Sequence, residues 1–389
     1  MTSKTLVILP TFACNFRCKH CGVKKTNEIN FIPLETVKRV LREAKRKKFR
    51  YVAITGGGEP LLDFEKIIKI IKLAKKYGLK VTLNTNGYFI ANSNPQRIRE
   101  LKNVDTIILS IDYDHLKFFP FKEVLKTVKI LLNARINVWI KMVNRKHTKQ
   151  RNLLLLKRLS AALNGKLINI TPFRRGVSFF LILGRKIISV ISLDAVKTDT
   201  NKRSISLKAV KLKDVLFAPC RSISPTSCIG FSPTITPNSN ILPCCSFTAM
   251  NNPWLYKLAN VDTKNKNIFD VKEPILSCIL FDHFPLIKIF LKIRKDKKLL
   301  NVFLKQKYYS QCDFCFLLLK HKRKIKKIKP PTKYEILTFF VLNLHNILVN
   351  SFRYVLAEIY NIIHTLFELI QYPIKFFNRY FYPHFRYKY

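Results

Sequence analysis

Several residue types are scarce in this chain of 389 residues, and each scarcity is informative. There are 23 acidic residues against 71 Lys and Arg, so the formal net charge is +48. This excess favours polyanionic partners such as nucleic acid, anionic lipid or acidic substrates, but it is also typical of a Lys-rich proteome with generally basic surfaces. Ten cysteines are too few for a disulfide scaffold in a chain of this length, and none lies between residues 22 and 219.

The start of the chain also lacks a long apolar run. The apolar stretch within residues 1–10 is too short for a secretory signal, so we expect the thiols to stay reduced and the protein to be cytoplasmic. Clustered reduced thiols usually indicate metal binding or catalysis.

The cysteine-free part has a regular rhythm of short β-rich runs and amphipathic stretches of helical length. Six such repeats predict an α/β fold with a parallel sheet and right-handed crossovers. Periodicity alone leaves an open barrel, a closed barrel and a doubly wound sheet as alternatives. The predicted strands are residues 5–9, 51–55, 80–85, 105–111, 136–143 and 166–172.

Polar and glycine-rich residues follow four of these predicted strands. They are the loop with three cysteines, "TGGGEPLL" at 55–62, "NTNGY" at 84–88 and "SIDYD" at 110–114. The carboxyl ends of parallel strands lie on one edge of the sheet, where α/β proteins build their active sites. The sequence therefore predicts one site at this edge.

The three cysteines, Cys14, Cys18 and Cys21, lie within eight residues. A closed structural zinc site uses four ligands, and the one spare local donor, His20, lies between two cysteine positions. An iron–sulfur cubane has four irons held by thiolates, so three cysteines would leave one iron open to another ligand. The spacing favours the cluster.

The Cys-x3-Cys-x2-Cys loop after the first strand, together with Gly57–Pro60 after the second, resembles the radical S-adenosylmethionine (SAM) enzymes, and "CNFRCKHC" resembles their SPASM/twitch branch. The resemblance implies a partial, six-unit β/α barrel over residues 1–175. It further implies a bridging region at 176–219 and a small cysteine-rich auxiliary domain at 220–318. The polybasic segment and aromatic amphipathic helical tail at 319–389 depart from the family pattern.

The resemblance also implies the cofactors and their residues. Cys14, Cys18 and Cys21 would bind a 4Fe–4S cluster that reductively cleaves SAM to a 5′-deoxyadenosyl radical, which abstracts hydrogen from the substrate. An electron donor such as ferredoxin or flavodoxin would be a partner. The expected SAM-binding residues are His20, Gly57, Gly58, Glu59, Pro60, Asn84, Asn86, Ser110 and Asp112.

A second group of cysteines resembles the ligands of one auxiliary 4Fe–4S cluster. Its members are Cys228, Cys244, Cys312 and Cys315, with Cys220 as a competing ligand. A zinc site on the same residues is the alternative. Upstream of Cys244, the turn Pro237–Asn240 has Ser239 where the family usually has glycine.

The end of the chain carries seven Lys or Arg within residues 320–329, followed by an aromatic, amphipathic stretch. This pairing is typical of peripheral binding to an anionic membrane surface, here the inner face of the membrane. Docking on the enzyme itself, or oligomerisation, is an equal alternative. Nucleic acid ranks last because the tail lacks clustered Arg.

The sequence does not identify the substrate. Relatives in the branch modify peptides or proteins, and others act on small molecules or lipid-related compounds. The alternative function from another class is a non-catalytic, zinc-binding basic scaffold that associates with membrane or nucleic acid. That alternative leaves the Gly57–Pro60 motif at a strand end without a purpose.

Overall fold

A computed structural model of the chain describes residues 5–23, 26–145, 147–174, 177–194, 232–243, 250–251, 259–261, 269, 285–305, 311–329, 331–332 and 335. Within this part, eleven strands form one sheet in the order β11-β10-β9-β1-β2-β3-β4-β5-β8-β7-β6. The strands are β1 Thr5–Ile8, β2 Tyr51–Ile54, β3 Lys80–Thr85, β4 Thr106–Ser110, β5 Val138–Asn144, β6 Lys166–Arg174, β7 Val177–Leu183, β8 Lys186–Asp194, β9 Thr234–Ile235, β10 Asn240–Leu242 and β11 Ala259–Asn260.

Six helices alternate with the first strands. They are α1 Leu34–Arg46, α2 Phe64–Lys76, α3 Tyr88–Ala91, α4 Pro95–Leu101, α5 Phe121–Asn133 and α6 Lys149–Ala162. Their apolar faces and every second strand residue form one core, with Ile54, Leu83 and Ile140 almost fully buried. Because successive side chains of a strand point to opposite faces, the intervening, half-buried strand residues face away from the helices.

The open, parallel-rich α/β sheet confirms the predicted fold class. β1 to β5 pair in parallel with their neighbours, and β8 pairs in parallel with β5. The identity of the sixth parallel strand is a correction, because residues 166–172 were expected in that place. They belong to β6, which lies at the edge of the sheet and pairs antiparallel with β7.

The reason for this rearrangement is a hairpin between β7 and β8. Gly184 turns the chain at φ +56°, a conformation that suits glycine, and the two strands then pair antiparallel. β7 and β8 lie within residues 176–219, the expected bridging region, and they add two strands to the sheet.

On the other edge, β9 pairs in parallel with β1, and β10 pairs antiparallel with β9. Ser239 adopts φ +56° in the turn between them, the position where we noted serine in place of glycine. Its hydroxyl lies 3.1 Å from the hydroxyl of Thr36 on α1, and Arg39 of α1 donates to the carbonyl of Val261. The hairpin is therefore bound to the first helix.

Four further helices are α7 Pro285–Arg294, α8 Lys297–Lys305, α9 Gln311–Lys320 and α10 Lys322–Lys327. Phe303 and Ile325 are buried here, while the Lys and Arg side chains of α10 are exposed or half-exposed. Of the helices that the structure describes, none combines the length and apolar character needed to cross a membrane. The tail beyond residue 335 lies outside the described residues.

Candidate active site

The three cysteines lie on the loop of residues 10–23, which follows β1 at the carboxyl edge of the parallel strands. All three side chains are half-buried, and none is in a disulfide. The backbone N–H of Cys21 donates to the carbonyl of Cys18 at 3.1 Å, which makes a tight turn at the end of the motif. We call residues 10–23 the cysteine loop.

The glycine motif after β2 supports the cysteine loop directly. The N–H groups of Gly58 and Glu59 donate to the carbonyls of Thr11 and Ala13, both at 2.8 Å. A Cβ on Gly58 would lie 2.5 Å from the carbonyl carbon of Ala13 and still closer to its oxygen, and a Cβ on Gly57 would lie 2.9 Å from the Thr11 oxygen. These glycines therefore let the backbone after β2 pass close to the cysteine loop.

The Glu59 carboxylate is a buried structural hub with 2% exposure. It accepts hydrogen bonds from the Thr85 hydroxyl at 2.7 Å, the Asn86 N–H at 2.8 Å and the Leu61 N–H at 3.0 Å. Pro60, which is also buried, starts the short 3-10 turn Pro60–Asp63 that Glu59 caps. These contacts join the end of β2 to the end of β3.

Two asparagines at the end of β3 make further contacts along the carboxyl edge of the parallel strands, which we call the rim. Asn86 donates from Nδ2 to Asn15 Oδ1 of the cysteine loop at 2.8 Å, and its own Oδ1 accepts from the N–H of Tyr88. Asn84 donates to the Thr55 hydroxyl at 2.7 Å. The cysteine loop is therefore fixed to β3 as well as to β2.

Ser110, at the end of β4, is half-buried on the face of the sheet opposite the helices. Its register partner on β5 is Lys141, which is half-buried on the same face. A hydroxyl beside an ammonium group suits a carboxylate ligand. Sequence reasoning found Ser110 and missed Lys141, because a lysine inside a strand pattern looks like an ordinary surface residue.

Asp112 is 1% exposed and holds its own loop together. Its oxygens accept from the N–H groups of Asp114 at 3.0 Å, His115 at 3.2 Å and Val143 at 3.3 Å. Its Oδ1 lies 2.8 Å from Nδ1 of His115, at an angle unsuited to a hydrogen bond, so we treat this contact as an ion pair.

These charges control the protonation of the buried groups. Burial alone would lower the pKa of His115, but the charge of Asp112 and the neighbouring Cys18 sulfur raise it well above its usual value. Burial would raise the pKa of Asp112, and the nearby His115 and His20 hold it below its usual value. At neutral pH the pair is therefore ionic.

His20, between the last two cysteines, contacts the far side of the rim. Its Nδ1 lies 3.2 Å from Oδ2 of Asp114, and its Nε2 lies 3.7 Å from Oδ2 of Asp112. Arg145 at the end of β5 binds the same Asp114 carboxylate through Nε at 2.7 Å and Nη2 at 2.6 Å. Burial would raise the pKa of Asp114, but the hydrogen bonds from His20 and Arg145 hold it well below its usual value.

The donor chemistry fits a multi-iron cluster better than one metal ion on the three cysteines. A single tetrahedral zinc with bonds of about 2.3 Å would hold its sulfurs about 3.8 Å apart. Across the described residues, two sets of three ligand atoms converge to within 4.8 Å, and neither is the cysteine trio. The two sets are Cys18–His20–His115 and His20–Asp112–Asp114.

Phe16, between Cys14 and Cys18, packs the cysteine loop against other aromatic side chains. Phe16 is 3% exposed and stacks on Phe118 with ring centroids 5.2 Å apart. It also packs edge-on against Tyr88 and tilted against Phe119. The loop therefore buries its apolar side chain beneath the rim and leaves its thiols half-exposed.

Asp114, His115 and Arg145 were missed by sequence reasoning. Asp114 is the last residue of the quoted 110–114 motif and His115 follows it, but neither was assigned a role; Arg145 follows the fifth predicted strand, where a fifth polar strand end was available as a signal. Cys220, Cys228 and Cys244 lie outside the described residues. Cys312 and Cys315 lie on α9, but their side chains are outside the described part.

Comparison with known proteins finds one family model that matches part of this chain. A family model described as the Radical SAM superfamily matches residues 8–174. A relative from Bacillus subtilis (strain 168), named "Putative peptide biosynthesis protein YydG", is 23% identical over 339 residues, which cover 85% of this chain and 96% of the relative.

Two further matches cover less or are more distant. An "S-adenosylmethionine-dependent nucleotide dehydratase" of Fibrobacter sp. (strain UWH6) is 27% identical over 172 residues, 37% of this chain and 50% of that protein. A solved structure titled "Native anSMEcpe with bound AdoMet and Kp18Cys peptide" is 15% identical, covers 82% of this chain and 97% of that one, and has a TM-score of 0.48. A TM-score this low gives that likeness no weight for function.

Proposed function

Because this chain is a radical SAM enzyme, and its relatives support the SPASM/twitch branch, we propose that it abstracts a hydrogen atom from a peptide or protein substrate at the carboxyl rim of its sheet. Its cofactors are a 4Fe–4S cluster and SAM. The carrying observation is the cysteine loop, whose three half-buried thiols lie at this rim and which the Gly58 and Glu59 N–H groups fix to β2.

When bound, the reduced cluster and SAM supply a 5′-deoxyadenosyl radical that takes hydrogen from the substrate. In this proposal Cys14, Cys18 and Cys21 hold three irons. The protein's own contribution is to bind, orient and shield the reacting groups.

Other residues at the rim would bind SAM or shape the cavity that holds it. Ser110 and Lys141 pair across β4 and β5, and we assign them to the carboxylate of SAM. The glycine backbone around Gly57 and Gly58 passes next to the cysteine loop, where the methionine part of SAM would bind. Glu59, Asn84 and Asn86 then act mainly through the contacts that shape this cavity, since their polar atoms bind neighbouring strand ends.

His20, Pro60 and Asp112 complete the set of residues proposed around SAM. The His20 ring is 9% exposed and is held against Asp112 and Asp114, so one edge of it is fixed. In this proposal the ring borders the adenine. Asp112 holds the β4 loop through three backbone N–H groups and Pro60 starts the turn after Glu59, so both shape the site from behind.

A peptide substrate is favoured over a nucleotide by the extent of the matches. The relative named for peptide biosynthesis aligns over 96% of its own length. The nucleotide dehydratase aligns over 50% of its length, which leaves the other half of that protein without a counterpart. Small-molecule and lipid-related substrates remain the second candidates.

We assign one auxiliary cluster to Cys228, Cys244, Cys312 and Cys315, with Cys220 as the competing ligand. The described chain supports this through position: the β9–β10 hairpin ends just before Cys244, and Asn251 donates to the carbonyl of Gly22, the residue after the cysteine motif, at 2.7 Å. Asn251, seven residues after Cys244, therefore contacts the end of the cysteine loop. Zinc at these residues is the alternative.

Two partners belong to the same proposal. An electron donor such as ferredoxin or flavodoxin would reduce the cluster. The segment around α10 would bind an anionic membrane surface through its exposed Lys and Arg side chains. Burial lowers the pKa of His321, and the nearby positive charges of Lys320 and Lys324 lower it further. The enzyme would then work in the cytoplasm at the inner face of the membrane.

The chemistry is tested with anaerobically reconstituted protein, wild type beside the triple variant C14A/C18A/C21A. We expect about eight irons per chain in the wild type and about four in the variant. After addition of dithionite and SAM, 5′-deoxyadenosine should form with the wild type alone. About four irons in the wild type and none in the variant would refute the auxiliary cluster. Bound zinc without iron or nucleoside would favour the non-catalytic scaffold.

The substrate class needs a separate test. Formation of 5′-deoxyadenosine is measured with a fractionated extract of the source cells, before and after each fraction is digested with proteinase. We expect one fraction to accelerate formation and digestion to abolish the effect. Acceleration that survives digestion would refute the peptide class and leave the radical chemistry intact.

A further inference from the structure

A buried ion pair joins two loops that come from distant strands. His20 belongs to the cysteine loop after β1, and Arg145 ends β5, with β2, β3 and β4 between them in the sheet. Both side chains bind the Asp114 carboxylate, Arg145 through two hydrogen bonds and His20 through one. Asp114 therefore connects opposite sides of the rim. We call these three residues the rim clamp.

The rim clamp is well suited to fix a side chain. The exposed fraction is 2% for Asp114, 14% for Arg145 and 9% for His20. A planar guanidinium binding a carboxylate through two N–H groups sets its orientation, and hydrogen bonds to charged groups are stronger than neutral ones. Since an ionised carboxylate can only accept, Nδ1 of His20 must donate, which fixes the tautomer and the ring.

Asp114 is not needed to shape its own loop. Asp112 already accepts the backbone N–H groups of Asp114, His115 and Val143. A metal ion between His20, Asp112 and Asp114 is disfavoured, because the two N–H groups of Arg145 already compensate the Asp114 charge. The Asp114 side chain instead joins Arg145 to His20, so its contact with the cysteine loop is the one through His20.

We propose that Asp114, oriented by Arg145, is a positioning residue that fixes His20 and thereby holds the Cys18–Cys21 end of the cysteine loop in the geometry that retains the cluster. The inference rests on the proposed role of the three cysteines as cluster ligands. His20 immediately precedes Cys21, so movement of its ring moves a ligand. Outer-sphere partners of metal ligands typically change metal affinity by about 10- to 100-fold.

The test is a double-mutant cycle of Asp114→Asn and His20→Ala on the full, reconstituted chain. The measurements are the rate of iron loss to a chelator in the dark and the electron paramagnetic resonance spectrum of the reduced cluster. We expect Asp114→Asn to speed iron loss about 10- to 100-fold and to alter the spectrum when His20 is present. In the His20→Ala background, Asp114→Asn should change neither.

The matched control is Asp105→Asn. Asp105 is also an aspartate that binds a cation, Lys75 at 2.9 Å, and a backbone N–H, that of Val81 at 2.6 Å, but it lies just before β4 at the opposite edge. It should leave iron loss and spectrum as in the wild type. If Asp114→Asn fails to fold, Arg145→Lys keeps the charge, loses the paired geometry and should give a smaller change of the same kind.

Two results would overturn the inference. The first is that Asp114→Asn leaves the rate of iron loss unchanged. The second is that it speeds iron loss equally in both backgrounds, which is the signature of a general structural role. Either result requires that the wild type holds iron on the cysteine loop. A wild type whose iron content does not differ from that of C14A/C18A/C21A would instead refute the proposed function.

Discussion

Replacing Gly58 with alanine should dislodge the cysteine loop while leaving every thiol in the sequence. The new Cβ would lie 2.5 Å from the carbonyl carbon of Ala13, whereas an ordinary contact begins at 3.4 Å. The two backbones must therefore separate by at least the difference, 3.4 − 2.5 = 0.9 Å. The obstruction is backbone, so rotation of a side chain cannot relieve it.

The energy follows from two effects. Overpacking of this kind costs about 1–3 kcal/mol. Separation also breaks the hydrogen bonds from Gly58 to Thr11 and from Glu59 to Ala13, each worth about 1 kcal/mol. The sum is about 3–5 kcal/mol, a large part of the roughly 5–15 kcal/mol by which proteins are stable. At about 2–4 °C per kcal/mol, the melting temperature should fall by roughly 6–20 °C.

The assay compares melting of the metal-free protein and iron content after reconstitution. Gly56→Ala is the matched control in the same loop, because its Cβ would meet only the Gly58 oxygen at 2.9 Å among the atoms within 4 Å. This overlap is smaller than that at Gly58, so the substitution should lower the free energy of unfolding by about 1 kcal/mol, the low end of the overpacking range. If Gly58→Ala melts at the temperature of Gly56→Ala and takes up as much iron as the wild type, the glycine motif does not support the cysteine loop.

Three further predictions concern buried polar groups and are measured by urea unfolding of the metal-free protein. Glu59→Gln turns an amide donor toward N–H and O–H donors and should lower the free energy of unfolding by about 2–3 kcal/mol; a loss under about 0.5 kcal/mol would contradict the hub. The folded-state pKa of Asp114 is lowered, so its stabilisation is present above about pH 4 and is lost as the pH falls. Asp114→Asn should therefore lower the free energy of unfolding by about 3–5 kcal/mol at pH 7. The difference between wild type and variant should shrink by up to about 1.4 kcal/mol per pH unit below pH 4, whereas a difference that does not change with pH would refute the ion pair. Ser239→Ala should destabilise more than Ser239→Gly by about 1 kcal/mol, because both lose the contact with Thr36 but glycine also relieves the positive φ; equal losses would show that this turn carries no strain.

The first five strands and the edge that carries the site were predictable because their signals are local. Apolar runs of strand length alternate with amphipathic helices, and parallel order places their carboxyl ends together. The place of residues 166–172 was not predictable in this way. Which strand lies beside β5 depends on pairing between distant segments, and β8 takes that place. One local signal was available: Gly184 between two apolar runs is typical of a hairpin.

The candidate site was likewise predictable where its residues are close in sequence, and it was not predictable where they are distant. The cysteine spacing and the Gly57–Pro60 motif are continuous in sequence, so their association with a cluster could be predicted. The pairing of Asp114 with Arg145 joins residues that are 31 positions apart and lie on the loops after two neighbouring strands, β4 and β5. Such pairs follow from strand order and register, and a sequence pattern contains neither.

The cysteine loop itself needs support from the strands around it. All of residues 10–23 are described, and they form neither a helix nor one of the strands of the sheet. A segment of this kind obtains its geometry from outside, here from the β2 end through Gly58 and Glu59, from the β3 end through Asn86, and from the β4 and β5 ends through the rim clamp. Each support contacts a different part of the loop. Loss of one support should therefore displace the nearest cysteine side chain first. Gly58→Ala should displace Cys14 and Asp114→Asn should displace Cys21, although both variants keep the same three thiols.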